Sequence, residues 1–421
     1  MKLSLIGSGY VGIVTGACFS SLGHHVTLVD VIEEKVRMIN AGIPTAYEKD
    51  LDRLVSEGVR RGTLRATTEL GSAVSYADII FICVGTPSRP DGAQDTRHIE
   101  EVSEKIGEAL RTAEDYHTVV VKSTVLPGTT IQKVRGIIEK ESGKRAGRDF
   151  GLGMNPEFLK EGDAVSDFMK PDRIVAGCLD SRTRETLEKL YSTFAAPIVF
   201  TDCTTAEMIK YASNVFLAAR VALINELGNA AKQIGVDIRI VARATGMDRR
   251  IGPLFLNAGA GFGGSCFRKD ASAISWLARE LGTETPITDA VISQNEKQPL
   301  RLIELLEKDG PVSGRTIAVL GLAFKPGSDD IRDAPSIKVV SSLIEKGAKI
   351  VAFDPAAMEN FKKLFPAIDY AASAAAAIGR SDAVVVVTEW KEFSDPELYG
   401  SRHVVDGRGI TQTKNYEGIC W

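Results

Sequence analysis

Three pairs of polar residues in this chain are spaced four positions apart, the spacing that places two side chains on one face of a helix. They are Cys266 and Asp270, Lys210 and Asn214, and Glu157 and Glu161. A thiol beside a carboxylate suits nucleophilic attack, a lysine beside an amide suits stabilisation of an oxyanion, and two carboxylates suit proton transfer. We therefore expect each pair to offer two groups to a cleft, although for the glutamates alone an exposed helix face is the simpler interpretation.

Cys266 has unusual surroundings for a free cysteine. Cys18 and Cys83 are embedded in apolar stretches, which is typical of core residues, whereas Cys266 follows the glycine-rich residues 259–265. Lys269 follows it closely, and a nearby cation favours the thiolate. Six cysteines in 421 residues are too few for a disulfide-stapled secreted scaffold, and no two of them are spaced as CxxC. This usage predicts a reducing, cytosolic compartment.

The amino terminus carries the pattern GSGYVG directly after an apolar stretch. In such a loop, Gly7 permits a tight turn, Gly9 lets the backbone approach a pyrophosphate, and Gly12 lets a helix pack on the sheet. Asp30 ends the next predicted strand, where an acidic side chain binds the ribose hydroxyls and disfavours a 2′-phosphate. The pattern predicts NAD rather than NADP, and Lys35 could reach the same ribose.

A folded scaffold must position these groups. In residues 1–200, strand patterns alternate with helix patterns, which indicates an α/β scaffold. Strands are predicted at residues 2–6, 26–30, 79–84, 118–121 and 198–200, and helices at residues 11–22, 33–41 and 99–111. The strands are apolar throughout, as expected for a parallel sheet covered on both faces. We predict a doubly wound, NAD-binding domain over residues 1–200.

The middle of the chain is helical instead. Helices are predicted at residues 204–235 and 238–245, and residues 286–306 continue the helical pattern. Together they form a central layer over residues 201–305 that joins two α/β halves. Strands are predicted again at residues 316–320, 349–353, 383–387 and 404–405, within a second α/β domain over residues 306–421. ADIIFI at residues 77–82 resembles SDAVVV at residues 381–386. The predicted fold is therefore two Rossmann-like, doubly wound parallel-sheet domains joined by a helical layer.

Composition excludes several classes of protein. The 421 residues include 44% hydrophobic and 25% charged residues, which excludes a long disordered chain. Lys and Arg number 51 against 55 Asp and Glu, so the net charge of −4 argues against nucleic acid as a partner. No apolar stretch reaches the roughly 20 residues needed to cross a bilayer. The five histidines show no metal-ligand spacing, so no metal is expected.

A set of motifs in a fixed order carries a resemblance. They are GSGYVG, NPEFLKEG, EMIKYASN, RIGPLFLNAG and GFGGSCFRKD, followed by AFKP and DDIR. Together they resemble the UDP-glucose/GDP-mannose dehydrogenase family along the whole chain. The resemblance implies a four-electron oxidation, in which the primary alcohol of UDP-glucose becomes the carboxylate of UDP-glucuronate and two NAD are reduced. It also implies a homodimer built on the central helices, with Arg250 reaching the partner's site.

The resemblance further implies roles for individual residues. The implied catalytic residues are Cys266, Lys210, Asn214, Asp270, Thr124 and Glu161. The implied cofactor contacts are Gly7, Gly9, Tyr10, Val11, Gly12, Asp30, Lys35, Thr86, Pro87, Ser123, Thr124, Glu161, Lys269 and Arg332. The implied substrate contacts are Glu157, Phe158, Leu159, Lys160, Glu161, Lys210, Asn214, Arg250, Phe255, Leu256, Asn257, Ala258, Gly259, Gly263 and Lys325.

The chain departs from the family pattern at two places. Arg268 stands where a proline commonly follows the Cys-Phe pair, and the loop at residues 44–51 lacks the usual Pro-Gly, so we assign that loop no ligand. Three alternatives stay open. The same chemistry could act on GDP-mannose or a UDP-N-acetylhexosamine. A two-electron β-hydroxyacid-type dehydrogenase would need neither Cys266 nor a second α/β half. A non-catalytic nucleotide-sugar-binding regulator would be expected to have lost catalytic residues.

Overall fold

The computed structural model describes residues 1–421, and the chain divides into two compact units, Met1–Ala212 and Ser213–Trp421. Each unit contains one β-sheet with helices, and each is described by itself below. The long helix Cys203–Gln233 contributes residues to both. Two largely parallel sheets separated in the chain by a helical region confirm the predicted fold class.

The first unit contains an eight-stranded sheet in the order β3-β2-β1-β4-β5-β6-β7-β8. Its strands are β1 Lys2–Ile6, β2 His25–Val29, β3 Leu64–Thr67, β4 Ile79–Ile82, β5 Thr118–Val121, β6 Gly151–Met154, β7 Ile174–Cys178 and β8 Ile198–Thr201. All neighbours are parallel except β6 and β7, which are antiparallel. Every residue of β4, β5 and β6 is buried, because helices cover both faces of the sheet's centre.

The helices of this unit connect the strands. They are α1 Tyr10–Ser21, α2 Glu33–Asn40, α3 Leu51–Arg60, α4 Leu70–Tyr76, α5 Arg97–Arg111, α6 Arg135–Ser142, α7 Ala164–Met169 and α8 Ser181–Tyr191. A π-helical turn, Thr130–Val134, leads into α6. The three predicted helices begin and end within two residues of α1, α2 and α5. Strands β3, β6 and β7 were not predicted, because β3 is interrupted by the exposed Arg65 and both β6 and β7 contain glycine.

A helical region follows in the chain. Its helices are α9 Cys203–Gln233, α10 Ile238–Gly246, α11 Phe267–Glu280, α12 Pro286–Lys297 and α13 Leu300–Leu306. Helix α9 ends just before Gly235, whose φ of +72° an L side chain rarely adopts. The predicted helical stretch at residues 286–306 contains two helices, α12 and α13, and Pro299, which cannot donate a helical hydrogen bond, lies between them.

The second unit contains a six-stranded, wholly parallel sheet in the order β11-β10-β9-β12-β13-β14. Its strands are β9 Thr316–Leu320, β10 Lys349–Phe353, β11 Asp369–Tyr370, β12 Ala383–Val386, β13 His403–Asp406 and β14 Tyr416–Gly418. Helices α14 Pro335–Glu345, α15 Met358–Leu364 and α16 Ala374–Gly379 accompany them, with 3₁₀ turns at Glu307–Asp309, Lys391–Ser394 and Pro396–Tyr399. The four predicted strands match β9, β10, β12 and β13.

The resemblance between residues 77–82 and 381–386 has a structural basis. β4 and β12 are both the fourth strand of their sheets, and each pairs with the first. The aspartate before each strand accepts a backbone N–H at 2.8 Å from the first strand, Asp78 from Lys2 and Asp382 from Thr316. The two sheets therefore share both strand order and this anchoring hydrogen bond.

Candidate active site

The glycine loop joins β1 to α1 and is built to approach an anion. Gly7 has φ of +100°, and a Cβ on Gly12 would collide with the carbonyl oxygen of Gly7. Gly9, in contrast, has no atom other than those of its own chain neighbours within 4 Å of the place where its Cβ would stand. Gly9 is also the N-cap of α1, and no side chain caps this helix end. The first amides of α1, which begins with Tyr10 and Val11, are therefore available to a pyrophosphate.

Asp30 follows β2 and faces the glycine loop. Its carboxylate accepts the Ser8 hydroxyl at 2.6 Å, the Ser8 amide at 3.0 Å and the Ile32 amide at 3.1 Å, and Lys35 lies 3.6 Å away. Partial burial opposes ionisation, but these hydrogen bonds outweigh it and lower the pKa of Asp30. Asp30 therefore stays a carboxylate, the form that accepts hydrogen bonds from ribose hydroxyls.

The loops after β4 and β5 lie at the same edge of the sheet, because the carboxyl ends of parallel strands share one edge. Thr86 Oγ1 donates to the Thr124 carbonyl oxygen at 2.7 Å, and Ser123 Oγ donates to the Val84 carbonyl oxygen at 2.7 Å. Pro87 is exposed beside them. Four expected cofactor residues thus lie on two loops that are bonded to each other.

Glu157 lies just past the carboxyl end of β6, in a stretch without helix or strand. The helical spacing we predicted for Glu157 and Glu161 is therefore wrong, since the next helix begins only at Ala164. Glu157 is buried and pairs with Lys210 Nζ at 2.9 Å, and it accepts the Leu159 amide at 2.6 Å. Burial alone would raise the pKa of Glu157, but the charge and hydrogen bond of Lys210 lower it. The result is a buried ion pair.

A second buried lysine, which the sequence analysis missed, completes this cluster. Lys122 Nζ donates to Asn155 Oδ1 at 3.0 Å, and the Tyr191 hydroxyl donates to the same oxygen at 2.6 Å. Burial lowers the pKa of Lys122 to about 8, and the charge of Lys210 adds to the effect, while Cys83 and Glu157 oppose it. Lys122 and Asn155 directly follow apolar strands, a pattern that would have indicated them.

The residues that follow Glu157 contact different parts of the first unit. The Phe158 ring lies 3.9 Å from the Arg173 guanidinium and 5.5 Å from Lys210 Nζ. Lys160 is exposed and pairs with Asp163 at 3.0 Å. Glu161 lies close to Tyr10. Burial raises the pKa of the Tyr10 hydroxyl, and so do its hydrogen bond to Glu48 and the charges of Glu48 and Glu161. Glu157 contacts Lys210, whereas Glu161 lies beside the glycine loop.

Glu48 gives the loop at residues 44–51 a structural role. Its buried carboxylate accepts the Tyr10 hydroxyl, the Gly162 amide at 2.7 Å and the Ala164 amide at 3.2 Å. The loop therefore joins the start of α1 to the turn that follows Glu161.

In the second unit, Asn214 and Asp270 form a buried pair. Asn214 Nδ2 donates to Asp270 Oδ2 at 2.6 Å, and Lys269 Nζ pairs with Asp270 Oδ1. Asn214 lies one helical turn after Lys210 on α9, as the i, i+4 spacing predicts. Both oxygens of Asp270 therefore face donors, which holds the carboxylate in a fixed orientation.

Cys266 is the N-cap residue of α11 and is exposed. Its carbonyl oxygen accepts the Asp270 amide at 2.8 Å, and its sulfur lies 3.5 Å from Ser265 Oγ. The amino end of a helix stabilises a thiolate through its unpaired amides and dipole. The other five cysteines are buried or partly so, and burial raises the pKa of Cys178 to about 11 and of Cys18 to about 12. Cys266 is thus the accessible thiol.

The expected substrate residues upstream of Cys266 form a loop without helix or strand from Phe255 onward. Phe255 has φ of +61°, and its ring lies 6.2 Å from the Phe267 ring at the start of α11. A Cβ on Gly263 would stand 2.7 Å from the Asp333 carbonyl oxygen, so this glycine is required by packing against the loop after β9. Leu256, Asn257, Ala258 and Gly259 lie between these points.

The loop after β9 carries the remaining expected contacts. Lys325 Nζ lies 5.4 Å from the Phe324 ring, and Arg332 pairs with Asp330 at 2.6 Å. Arg268, the departure from the family pattern, bridges from α11 to Asp333 at 3.1 Å and to Glu296 at 2.7 Å. Its charge is therefore engaged in two ion pairs with neighbouring elements.

Arg250 lies after α10 and is largely exposed, paired with Asp248 at 2.6 Å. No group of three or more His, Cys, Asp or Glu side chains is arranged to hold a metal ion. None of the helices combines the length and apolar character required to cross a membrane.

Comparisons with known proteins agree with this geometry. The models of the UDP-glucose/GDP-mannose dehydrogenase family match three parts of the chain: the NAD binding domain at residues 1–195, the central domain at residues 204–297 and the UDP binding domain at residues 318–413. The chain belongs to the UDP-glucose/GDP-mannose dehydrogenase family. It is therefore an NAD-dependent oxidoreductase with a UDP-binding domain.

Individual members of this family are similar over most of the chain. The UDP-glucose 6-dehydrogenase of Haloferax volcanii is 44% identical, and the match covers all of both chains. The GDP-mannose 6-dehydrogenase of Azotobacter vinelandii is 42% identical over 84% of this chain and 81% of the relative. A solved UDP-glucose dehydrogenase from Pyrobaculum islandicum superposes with a TM-score of 0.96 at 40% identity, covering 100% of this chain and 98% of that one.

Proposed function

We propose that this protein oxidises UDP-glucose to UDP-glucuronate in two NAD-dependent steps, through a thiohemiacetal and a thioester on Cys266. The observation that carries the proposal is the polar face of α9. Lys210 and Asn214, both buried, lie one turn apart there and are bound to Glu157 and Asp270. A non-catalytic regulator has no need for this set of residues together with an exposed thiol.

The first oxidation requires removal of the proton from the sugar's primary hydroxyl. A water held by Asp270 together with Lys210 is the proposed base, since a carboxylate fixed by two donors can orient such a water. Lys210 and Asn214 stabilise the negative charge that develops on the oxygen. NAD, when bound, accepts a hydride in each of the two oxidations. The product of this step is an aldehyde.

The second oxidation uses Cys266. Its thiolate forms a C–S bond to the aldehyde carbon, and the carbonyl electron pair becomes an oxyanion facing Lys210 and Asn214. The resulting thiohemiacetal loses a hydride to give a thioester. An aldehyde alone does not readily lose a hydride. Water, activated by Glu161 or Asp270 and oriented by Thr124, then breaks the C–S bond. This releases the carboxylate and regenerates the thiolate.

We further propose that the sugar nucleotide is UDP-glucose. UDP-glucose is supported by the match to a UDP binding domain and by full-length similarity to UDP-glucose 6-dehydrogenases. GDP-mannose is the second candidate, because a GDP-mannose 6-dehydrogenase is 42% identical. Initial rates on UDP-glucose, GDP-mannose and UDP-N-acetylhexosamines test this. We expect UDP-glucose to give the highest kcat/KM, and a higher value for another sugar would contradict it.

We also propose a homodimer in which Arg250 reaches the partner's site. The support is an apolar stripe along α9, formed by Phe216, Leu223 and Leu227, each about half exposed or more. The spacing of seven and four residues places these side chains along one side of a helix. Exposed apolar stripes of this kind mark interaction surfaces. A sedimentation measurement giving a monomer at micromolar concentration would contradict the dimer.

The boundaries of the three parts, residues 1–200, 201–305 and 306–421, remain part of this proposal. They are supported by the three family-model matches, which fall within or close to them. The mechanism adds a requirement on the compartment: an oxidised Cys266 could not attack an aldehyde, so we propose that the protein acts in a reducing, cytoplasmic environment.

A further inference from the structure

The loop that precedes Cys266 has no helix or strand of its own from residue 255 to residue 265, yet its backbone polar groups are not left to solvent. A loop that binds a ligand tightly must be held in its bound shape before the ligand arrives. The question is which groups hold this loop.

Two peptide positions in this loop are held by carboxamide side chains. Asn295 Oδ1 accepts the Phe262 amide at 2.8 Å, and Asn295 Nδ2 donates to the Phe262 carbonyl oxygen at 2.9 Å. At Gly259, Asn225 Oδ1 accepts the amide at 2.7 Å, and Gln298 Nε2 donates to the carbonyl oxygen at 2.9 Å. Each of the two residues therefore has both backbone groups paired, as it would in a sheet.

Three features indicate that the arrangement is specific. Asn225 and Gln298 are buried, and a buried carboxamide has few ways to satisfy its hydrogen bonds. Gln298 is also fixed by Asn229, whose Nδ2 donates to Gln298 Oε1 at 2.8 Å. A Cβ on Gly261, whose φ is +99°, would stand 2.7 Å from Asn295 Oδ1, so the glycine allows the asparagine to approach.

Helix α12 and the residue after it thus act on the Cys266 loop at several points. Asn295 holds Phe262, Gln298 holds Gly259, and Glu296, between them in the chain, pairs with Arg268 two residues after the nucleophile. A helix is rigid, so side chains on it can fix a loop more accurately than the loop can fix itself.

We propose that Asn295 and Gln298 are positioning residues that hold the loop of residues 255–265 in the shape that binds the nucleotide sugar. This inference rests on the proposed function, because it takes that loop to be the sugar-nucleotide contact. Asn225, on α9, also fixes this loop, because its Oδ1 accepts the Gly259 amide. None of the three carboxamides needs to touch the substrate.

The test compares Asn295→Ala with Lys297→Ala, a control that removes an exposed side chain from the same helix. Loss of two hydrogen bonds of ordinary strength corresponds to roughly a tenfold change. We expect Asn295→Ala to raise the KM for UDP-glucose about tenfold while the KM for NAD stays within about twofold. Lys297→Ala should leave both unchanged. A KM for UDP-glucose like that of the wild type, or equal rises for both substrates, would overturn the proposal.

A second variant and a second readout cover the case in which Asn295→Ala does not fold. Asn295→Asp keeps the acceptor for the Phe262 amide but places a carboxylate oxygen against the Phe262 carbonyl, so it should show the same selective rise in KM. Hydrogen exchange of the peptide spanning residues 257–266 should accelerate in either variant, and unchanged exchange would count against the proposal. If the wild type itself does not oxidise UDP-glucose, the proposed function fails, while the exchange result still tests whether Asn295 holds the loop.

Discussion

The two α/β sheets have the same strand order around their first strands but use the aspartate after the second strand differently. Asp30, after β2, contacts Ser8 and Ile32 and stays partly accessible. Asp354, after β10, is fully buried and accepts five N–H groups, from Leu322, Ala323, Ala356, Ala357 and the Trp390 indole. Because these N–H groups use all the hydrogen bonds that the carboxylate can accept, it cannot also accept hydrogen bonds from a ribose. The same topological position is therefore accessible to a ligand in one sheet and is used by the fold in the other.

The loops after the first strands explain this difference. In the first sheet, the chain turns from Gly7 directly into α1, so the helix amides face the carboxyl edge of the sheet. In the second sheet, residues 321–334 intervene before α14, and this loop packs against the Cys266 loop through Gly263 and Gly264. The first sheet thus belongs to the part of the chain that matches the NAD binding domain, and the second supports the segment that carries Cys266.

The largest effect should come from removing the thiol of Cys266, the proposed nucleophile. We expect Cys266→Ser to lower the rate of complete oxidation by on the order of a thousandfold or more, because no other group can form the thioester. NADH formation from UDP-glucose measures this. Cys178→Ser is the control, since burial raises the pKa of Cys178 to about 11 and keeps that thiol protonated. Turnover of Cys266→Ser at the wild-type rate would remove Cys266 from the active site.

Asp354 and Asp30 should differ in how much stability is lost when the carboxylate becomes an amide. In Asp354→Asn, one accepting oxygen becomes an NH₂ donor that faces buried N–H groups, and those groups lose their acceptor. We expect this to lower the free energy of unfolding by about 3 kcal/mol. Denaturant unfolding measures this, and Asp30→Asn is the matched variant, expected to lose far less because Asp30 is partly exposed to water. Equal destabilisation by the two variants would contradict the assignment of different roles.

A buried carboxylate also holds the loop after the fifth strand in each sheet, Glu207 in the first and Asp406 in the second. Glu207 accepts the Gly128 amide at 2.5 Å and the Thr130 amide at 2.8 Å, and burial raises the pKa of Glu207 from 4.5 to about 7. The native state therefore binds a proton more tightly than the unfolded chain between these pH values, so this group's contribution to stability is present below pH 4.5 and is lost as pH rises through about 7.

The corresponding variant is Glu207→Gln, which cannot titrate. The unfolding free energy of the wild type relative to Glu207→Gln should fall by roughly 3 kcal/mol as pH rises across this interval. Thermal unfolding at several pH values measures it, with the exposed Glu188→Gln as a control that should show no such trend. A difference independent of pH would mean that Glu207 does not titrate in this range.

The smallest effect concerns the cofactor. Asp30→Asn should raise the KM for NAD about tenfold and narrow the preference for NAD over NADP, since it removes the charge that repels a 2′-phosphate. Asp354→Asn should leave the KM for NAD unchanged under conditions in which it is folded. Steady-state kinetics with both cofactors separate these outcomes, and an unaltered cofactor preference in Asp30→Asn would contradict the role of Asp30.

Much of the architecture could be predicted because parallel strands buried on both faces are apolar throughout, as in β4 and β12. The edge strands β11 and β14 could not, because two or three residues carry no readable period. Among the site residues, Lys210 and Asn214 followed from helical spacing, whereas Glu157 reaches Lys210 from an irregular segment.

Contacts made across the chain explain the other omissions. Lys122, Asn155 and Asn295 act through hydrogen bonds to residues 33 positions away in sequence. Spacing within one helix cannot reveal such contacts. The tertiary structure was needed to show that Asn295 faces the Cys266 loop.

The central claim is that one active site carries out both oxidations through Cys266. The most direct test is the amount of NADH formed when a limiting quantity of UDP-glucose is consumed completely with NAD in excess. Two NADH per UDP-glucose, with UDP-glucuronate as the product, is the result that the thioester mechanism predicts. One NADH per UDP-glucose, with the aldehyde as the product, would contradict it.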